Sequence, residues 1–219
     1  MDADDQEIKM CSRFSQTKEK VTFYIGNVQI SFAFGPRYNI APSQKVEVVI
    51  NEAEKFKPVE MSWGWKPAWS KTLLINAQAE TVTEKPTFKK FLYQRCLIPA
   101  DGFYEWMPDK TPIRFTKQHD ELFFMAGLWL ETVRQELDEP IAERKFIILT
   151  TTPNKTVGRV HNRMPLIVQP EHYHWWLSRD GLFQSVLDAP DKDELNWHPV
   201  NRALNNSRNE GPELLKTEP

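Results

Sequence analysis

Short runs of β-branched and aromatic residues recur along the chain, bounded by Asn, Pro, Gly or acidic turns, and this spacing predicts strands. The runs fall at 45–51, 59–65, 73–77, 95–100, 102–106, 113–116, 122–129, 145–151 and 164–168. Two stretches instead repeat their apolar residues at three and four. Thr83 can cap one helix with Pro86 in its first turn, burying Phe88, Phe91 and Leu92; Pro170 can open another that buries Tyr173, Trp176 and Leu177. Residues 18–34 fit either a hairpin turning at Gly26-Asn27 or a short helix over 18–24. The acidic stretch 131–144 reads as an exposed loop joining two strong strands, and the tail after Asn205 is too polar to add a domain. Residues 1–9 carry four acids and one Lys, which suggests a disordered leader ahead of a single domain over 10–219. The class expected is α+β, rich in strands, with helices outside them.

Composition narrows the function more than the fold. The formal net charge is −2, so binding to polyanions through overall charge is excluded, and any nucleic-acid site must be a local cationic groove. Eight Trp and thirteen Phe are enough both to fill a core and to offer flat stacking surfaces. The two cysteines, Cys11 and Cys96, lack CxxC or paired Cys/His spacing, which argues against structural zinc. There is no signal-like start and no apolar run of membrane-spanning length, so a cytoplasmic protein with reduced thiols is expected.

Four reactive polar side chains stand in apolar, strand-like surroundings. Cys11 follows Met10 directly and is either an inert buried thiol or a nucleophile. Asn76 ends an apolar strand, where a turn-forming amide is the alternative to a functional one. Glu105 lies between Tyr104 and Trp106; facing inward it would be desolvated and become a usable acid or base, facing outward it would be ordinary. His161 precedes an apolar strand, as a structural imidazole or a proton carrier.

The order of motifs adds what no single motif carries. Met10-Cys11-Ser12-Arg13-Phe14, Arg37-Tyr38-Asn39-Ile40-Ala41-Pro42-Ser43-Gln44, Trp63-Gly64-Trp65 with Pro67 and Trp69, Ile75-Asn76-Ala77 with Ala79-Glu80-Thr81, Ile98 through Trp106, and His161-Asn162-Arg163-Met164-Pro165 together resemble the SRAP (SOS response-associated peptidase) family of abasic-site processing proteins. Trp197-His198-Pro199-Val200 and Asn206-Ser207 resemble its closing segment. The resemblance implies barrel-like mixed sheets with peripheral helices and a monomer that binds single-stranded DNA. It implies capture of an abasic site as a thiazolidine by Cys11 at a processed N-terminus, without metal or organic cofactor. By the same resemblance Asn76 would hold the N-terminus, Glu105 would act as general acid or base, and His161 would protonate the sugar oxygen as the ring opens. Arg13, Arg37, Lys66, Trp69, Gln78, Arg163 and Arg208 are the DNA-contact candidates, with Lys71, Lys85, Lys89, Arg95 and Arg114 as further cations. DNA binding would place the protein at the nucleoid. Autopeptidase, lyase and purely non-covalent binding activities are the alternatives.

Three departures from the family pattern matter. Residues 1–10 precede Cys11 and would block its amine. Ser12 stands where Gly is usual, which would strain the backbone if that position needs positive φ. Gln78 replaces a usual Arg and removes one phosphate contact.

Overall fold

The computed structural model describes residues 11–33, 35–136, 139–179, 181, 183–187 and 194–217; the expected leader and Met10 lie outside the described residues. The chain opens with β1 (Arg13–Gln16), the hairpin β2 (Lys20–Ile25) and β3 (Val28–Ala33), and β4 (Arg37–Ile40). Next come β5 (Lys45–Glu52), β6 (Lys55–Trp63), β7 (Asn76–Gln78) and α1 (Pro86–Lys89). β8 (Arg95–Ala100), β9 (Gly102–Trp106), β10 (Pro112–Thr116) and the long pair β11 (Phe123–Glu136) and β12 (Glu139–Thr151) follow. β13 (Met164–Pro165), β14 (Ile167–Val168), α2 (Tyr173–Leu177), α3 (Phe183–Leu187) and β15 (Asn196–Pro199) lead into the C-terminal 3-10 turns.

Five strands close on themselves in the order β12-β6-β5-β8-β11 and back to β12, with β12–β6 the parallel contact of the ring. Closure removes sheet edges and creates an interior filled by side chains. Alternate residues point into it: Val46, Val48 and Ile50 from β5, Cys96 and Ile98 from β8, Met125 from β11, Phe146 and Ile148 from β12, Met61 and Trp63 from β6. Their neighbours Val49, Leu97, Ile147 and Leu149 face outward, under the β2–β3 hairpin and the helices, where Val21, Phe32, Phe88 and Trp176 cover them. Both faces are buried, which is why these strands read as uninterrupted apolar runs. Gly127 is required by this closeness, since a Cβ there would lie 2.5 Å from Ile98 Cδ1 and 2.8 Å from the Ile147 carbonyl oxygen.

A second, antiparallel sheet of order β15-β10-β9-β1-β4 adds Phe14, Ile40, Phe103 and Phe115 to the barrel's interior cluster. Its opposite face carries Tyr104, packed with Val200, Leu204 and Leu214 of the C-terminal turns. The α+β, barrel-like expectation therefore holds.

Several local expectations change. Residues 131–136 and 139–144 are not a loop but the paired continuation of β11 and β12, in register from Gly127↔Ile148 to Glu136↔Glu139. The side chains of 131–133 and 140–144 are exposed or half-buried on this two-stranded ribbon. The run 164–168 is two short strands, because it wedges between the diverging ends of β11 and β12, where Leu166 bonds Ala126 on one side and Leu149 on the other. α1 is a single turn with Lys85, not Thr83, at its N-cap. Residues 18–33 form the hairpin alternative. β1, β4, α3 and β15 gave no usable signal: three are four-residue strands, too short for a period to emerge. Among the described residues no helix is long and apolar enough to cross a membrane.

Candidate active site

Cys11 sits at the entry to β1, where the backbone takes a left-handed turn (φ +43°). The strained position is thus Cys11 itself; Ser12 does not have positive φ, so the strain expected of a Ser there does not arise. Beyond the turn, β1 pairs with β9 in the register Arg13↔Tyr104 and Phe14↔Phe103, which carries residue 11 back over Glu105. The Cys11 N–H donates to Glu105 Oε1 at 2.8 Å. On the other side, Asn76 pairs with Ile148 at the start of β7, and its Nδ2 donates to the Cys11 carbonyl oxygen at 3.4 Å. The two polar ends of the Cys11 main chain are therefore held by a carboxyl and an amide from two different sheets.

Alternation in β9 places Glu105 on the same side as Phe103, toward the barrel interior, with 1% of its surface exposed. Burial there raises its carboxyl from the usual 4.5 to about 8, against a smaller lowering by the bond from Cys11. Near neutral pH it is largely a protonated acid, able to accept at one oxygen and donate from the other. The Cys11 thiol is also buried, and burial together with the neighbouring Glu105 pushes its ionisation well up. It is a neutral thiol that needs a base or an internal proton transfer to react.

His161 follows a 3-10 turn, Val157–Arg159, and its N–H donates to the Val157 carbonyl oxygen at 2.9 Å. Its Nδ1 lies 3.1 Å from the Arg163 nitrogen and 3.3 Å from the Arg163 carbonyl oxygen, so the backbone of Arg163 fixes the ring. Burial lowers its basicity. Val157 and Met164, on either side of it in sequence, share the interior cluster with Cys11. The structure thus bonds Asn76 and Glu105 each to the Cys11 main chain, while the His161 ring is fixed by Arg163.

The expected DNA-contact residues divide into three groups. Arg13 donates to Asn39 Oδ1 and to the Leu204 carbonyl, Arg37 binds Gln44 and Glu210, and Arg163 forks onto Glu80 at 2.9 and 2.7 Å and reaches the Thr150 carbonyl at 2.6 Å. Lys66, Trp69, Gln78 and Arg208 are exposed. Arg95 and Arg114 must be withdrawn as phosphate contacts. Both are buried, Arg95 donating to the carbonyls of Leu92 and Gly181, and Arg114 paired with Asp101 at 3.1 Å and Asp120 at 2.9 Å.

Asp101 is a residue that the sequence reading passed over. It accepts from the Ser15 hydroxyl at 2.7 Å and from Thr17, and so ties the far end of β1 to β9 and β10. The available signal was Arg114, a charge inside the apolar strand Pro112–Thr116, which requires a buried partner. Among the described residues no cluster of His, Cys, Asp or Glu could hold a metal ion, and Cys11 and Cys96 are both free.

The chain is similar to a known family and to several of its members. The family profile described as SOS response associated peptidase (SRAP) matches residues 10–207. The abasic site processing protein YoqW of Bacillus subtilis is 33% identical over 95% of this chain and 100% of its own length. The abasic site processing protein YoaM of the same organism is 36% identical over 84% of this chain and 86% of its own. YedK of Escherichia coli, also named an abasic site processing protein, is 30% identical over 94% and 99%. A crystal structure from Bacteroides thetaiotaomicron superposes with a TM-score of 0.69 at 22% identity, over 83% of this chain and 85% of that one, and is evidence of the fold alone. With the matched residues running from the Met before Cys11 through the closing segment, the chain belongs to the SRAP family.

Proposed function

We propose that this protein processes abasic sites in single-stranded DNA by linking itself to them through Cys11. The observation that carries this reading is the pair of bonds on the Cys11 main chain, Glu105 at its nitrogen and Asn76 at its oxygen. That geometry suits an N-terminal cysteine held in place for reaction at its amine.

In the reaction, the α-amine attacks the aldehyde of the ring-opened deoxyribose and forms a carbinolamine. Glu105, protonated because it is buried, donates a proton to the departing hydroxyl, and water leaves as the imine forms. The thiol then adds to the imine carbon while its proton passes to the imine nitrogen, closing a thiazolidine. The balance is amine plus thiol plus aldehyde giving the ring and one water. A terminal amine has an ordinary pKa near 7.7 to 8.0, so roughly 10% of it is neutral at pH 7, far more than of a lysine. Ring closure gains further from the high effective concentration of a thiol on the same residue. His161, its ring held by the Arg163 backbone, is assigned the opening of the sugar ring.

This chemistry requires a free amine on Cys11, reached either by a translation start at Met10 with loss of that Met or by removal of residues 1–10. The bond between Cys11 nitrogen and Glu105 favours a second activity, self-cleavage of the Met10–Cys11 peptide. In that step the thiol attacks the Met10 carbonyl, the C–N bond breaks, and Glu105 gives its proton to the departing nitrogen and takes up the proton of the thiol. Water then hydrolyses the thioester, leaving a free amine and thiol. Intact mass spectrometry before and after incubation with an oligonucleotide bearing an abasic site tests both activities. Loss of the leader followed by a heat-stable adduct, with neither in Cys11→Ala, is the expected result. Processed protein that forms no adduct would overturn the cross-linking reading.

A further inference from the structure

The arginines nearest the site are bonded to the protein itself, which leaves open what would hold a DNA strand on either side of a captured nucleotide. Exposed lysines without an ion pair are dense instead in one excursion of the chain. Residues 66–93 contain five lysines, Lys66, Lys71, Lys85, Lys89 and Lys90, against Glu80 and Glu84. Glu80 is taken up by Arg163. All five lysines are exposed, and among the described residues none of them forms an ion pair.

The excursion is tied to the site at its middle. The bridge Trp65↔Leu74 closes the loop carrying Lys66, Trp69 and Lys71 just before Asn76, and α1 follows soon after Gln78. The two halves meet where the Trp65 ring stands edge-on to Phe91 at 5.4 Å. Lys90 Nζ lies 4.9 Å from the centre of the same Phe91 ring. Two aromatic side chains of the same excursion are exposed, Trp69 at 68% and Tyr93 at 67%. Cations alternating with exposed rings match a polymer of phosphates and unstacked bases.

We propose that the α1 side of this surface, Lys85, Lys89, Lys90 and Tyr93, is a second contact site for single-stranded DNA. It engages phosphates and a base beyond the nucleotide held at Cys11, and so lengthens the footprint. The proposal rests on the DNA-binding reading above but not on covalent capture.

Its test uses undamaged single strands of about 8 and about 25 nucleotides, with affinity followed by fluorescence anisotropy over a salt series. The triple variant Lys85→Gln/Lys89→Gln/Lys90→Gln should flatten the slope of log K against log salt by about 2 on the longer strand, at about 0.7 per lost phosphate contact, and by less on the shorter one. Tyr93→Ala should weaken the longer strand roughly five- to hundredfold. Lys18→Gln/Lys20→Gln/Lys55→Gln, an equal charge change elsewhere, should leave the slope unaltered. An unchanged slope in the first triple variant, or an equal change in the second, overturns the proposal. So does loss of binding to phosphatidylserine vesicles with the DNA slope intact, which would assign the surface to a membrane. A flattened slope in protein that never forms an adduct would sink the cross-linking reading and leave this one standing.

Discussion

The Cys11 nitrogen and the Glu105 carboxyl meet at 2.8 Å although 94 positions separate them in the chain. Both groups are buried, and burial keeps the carboxyl protonated against the smaller opposing effect of the bond from Cys11. A carboxyl kept neutral by its surroundings is an acid at the pH where a terminal amine begins to be a nucleophile.

Glu105→Gln should therefore change both stability and rate. A folded-state value of about 8 against 4.5 means that the native protein holds a proton that the unfolded chain releases. Stability is full below about pH 4.5 and declines, by at most about 1.4 kcal/mol per pH unit, until the pH passes about 8. Gln keeps the acceptor for the Cys11 N–H and removes this decline. Urea unfolding at pH 5 and pH 8 should show a smaller difference in the variant, while its adduct forms about a hundredfold or more slowly.

Gln78→Arg should tighten binding to single-stranded DNA. The side chain is exposed at the end of β7, two residues from Asn76, where a cation would reach a phosphate. The salt slope should steepen by about 0.7, and equal affinities across the series would refute the assignment.

The tryptophans should separate by role. Trp63 is fully buried, donates from Nε1 to the Ile75 carbonyl and lies edge-on to Phe14, so Trp63→Ala should cost about 3–5 kcal/mol in chemical denaturation. Trp69→Ala should change stability by less than about 0.5 kcal/mol yet weaken DNA binding measurably.

Arg114→Met should destabilise by about 3–5 kcal/mol, because it leaves Asp101 buried without its cation. The double variant Arg114→Met/Asp101→Asn should recover part of that loss, which a double-mutant cycle by thermal unfolding would detect. A double-variant loss equal to the sum of the two single losses would mean that the two residues act independently.

The sequence by itself determined the strand-rich class, most of the barrel strands and the motif order that marks the family. Apolar alternation and turn residues are local, so they survive without knowledge of the partner strand. It also singled out Cys11, Asn76, Glu105 and His161, since reactive polar groups in apolar runs are visible as exceptions. Only the tertiary structure decided that Glu105 faces inward. A period of two states that neighbours point to opposite sides, but barrel closure chooses which side is dry. The same holds for the arginines: a guanidinium is a phosphate ligand or an internal strut according to what the fold brings within 3 Å, as Glu80 does for Arg163 at 2.7 Å. Short strands such as β1, which delivers Cys11 to its partners, exist because distant segments pair with them, and pairing leaves no trace in four residues of sequence.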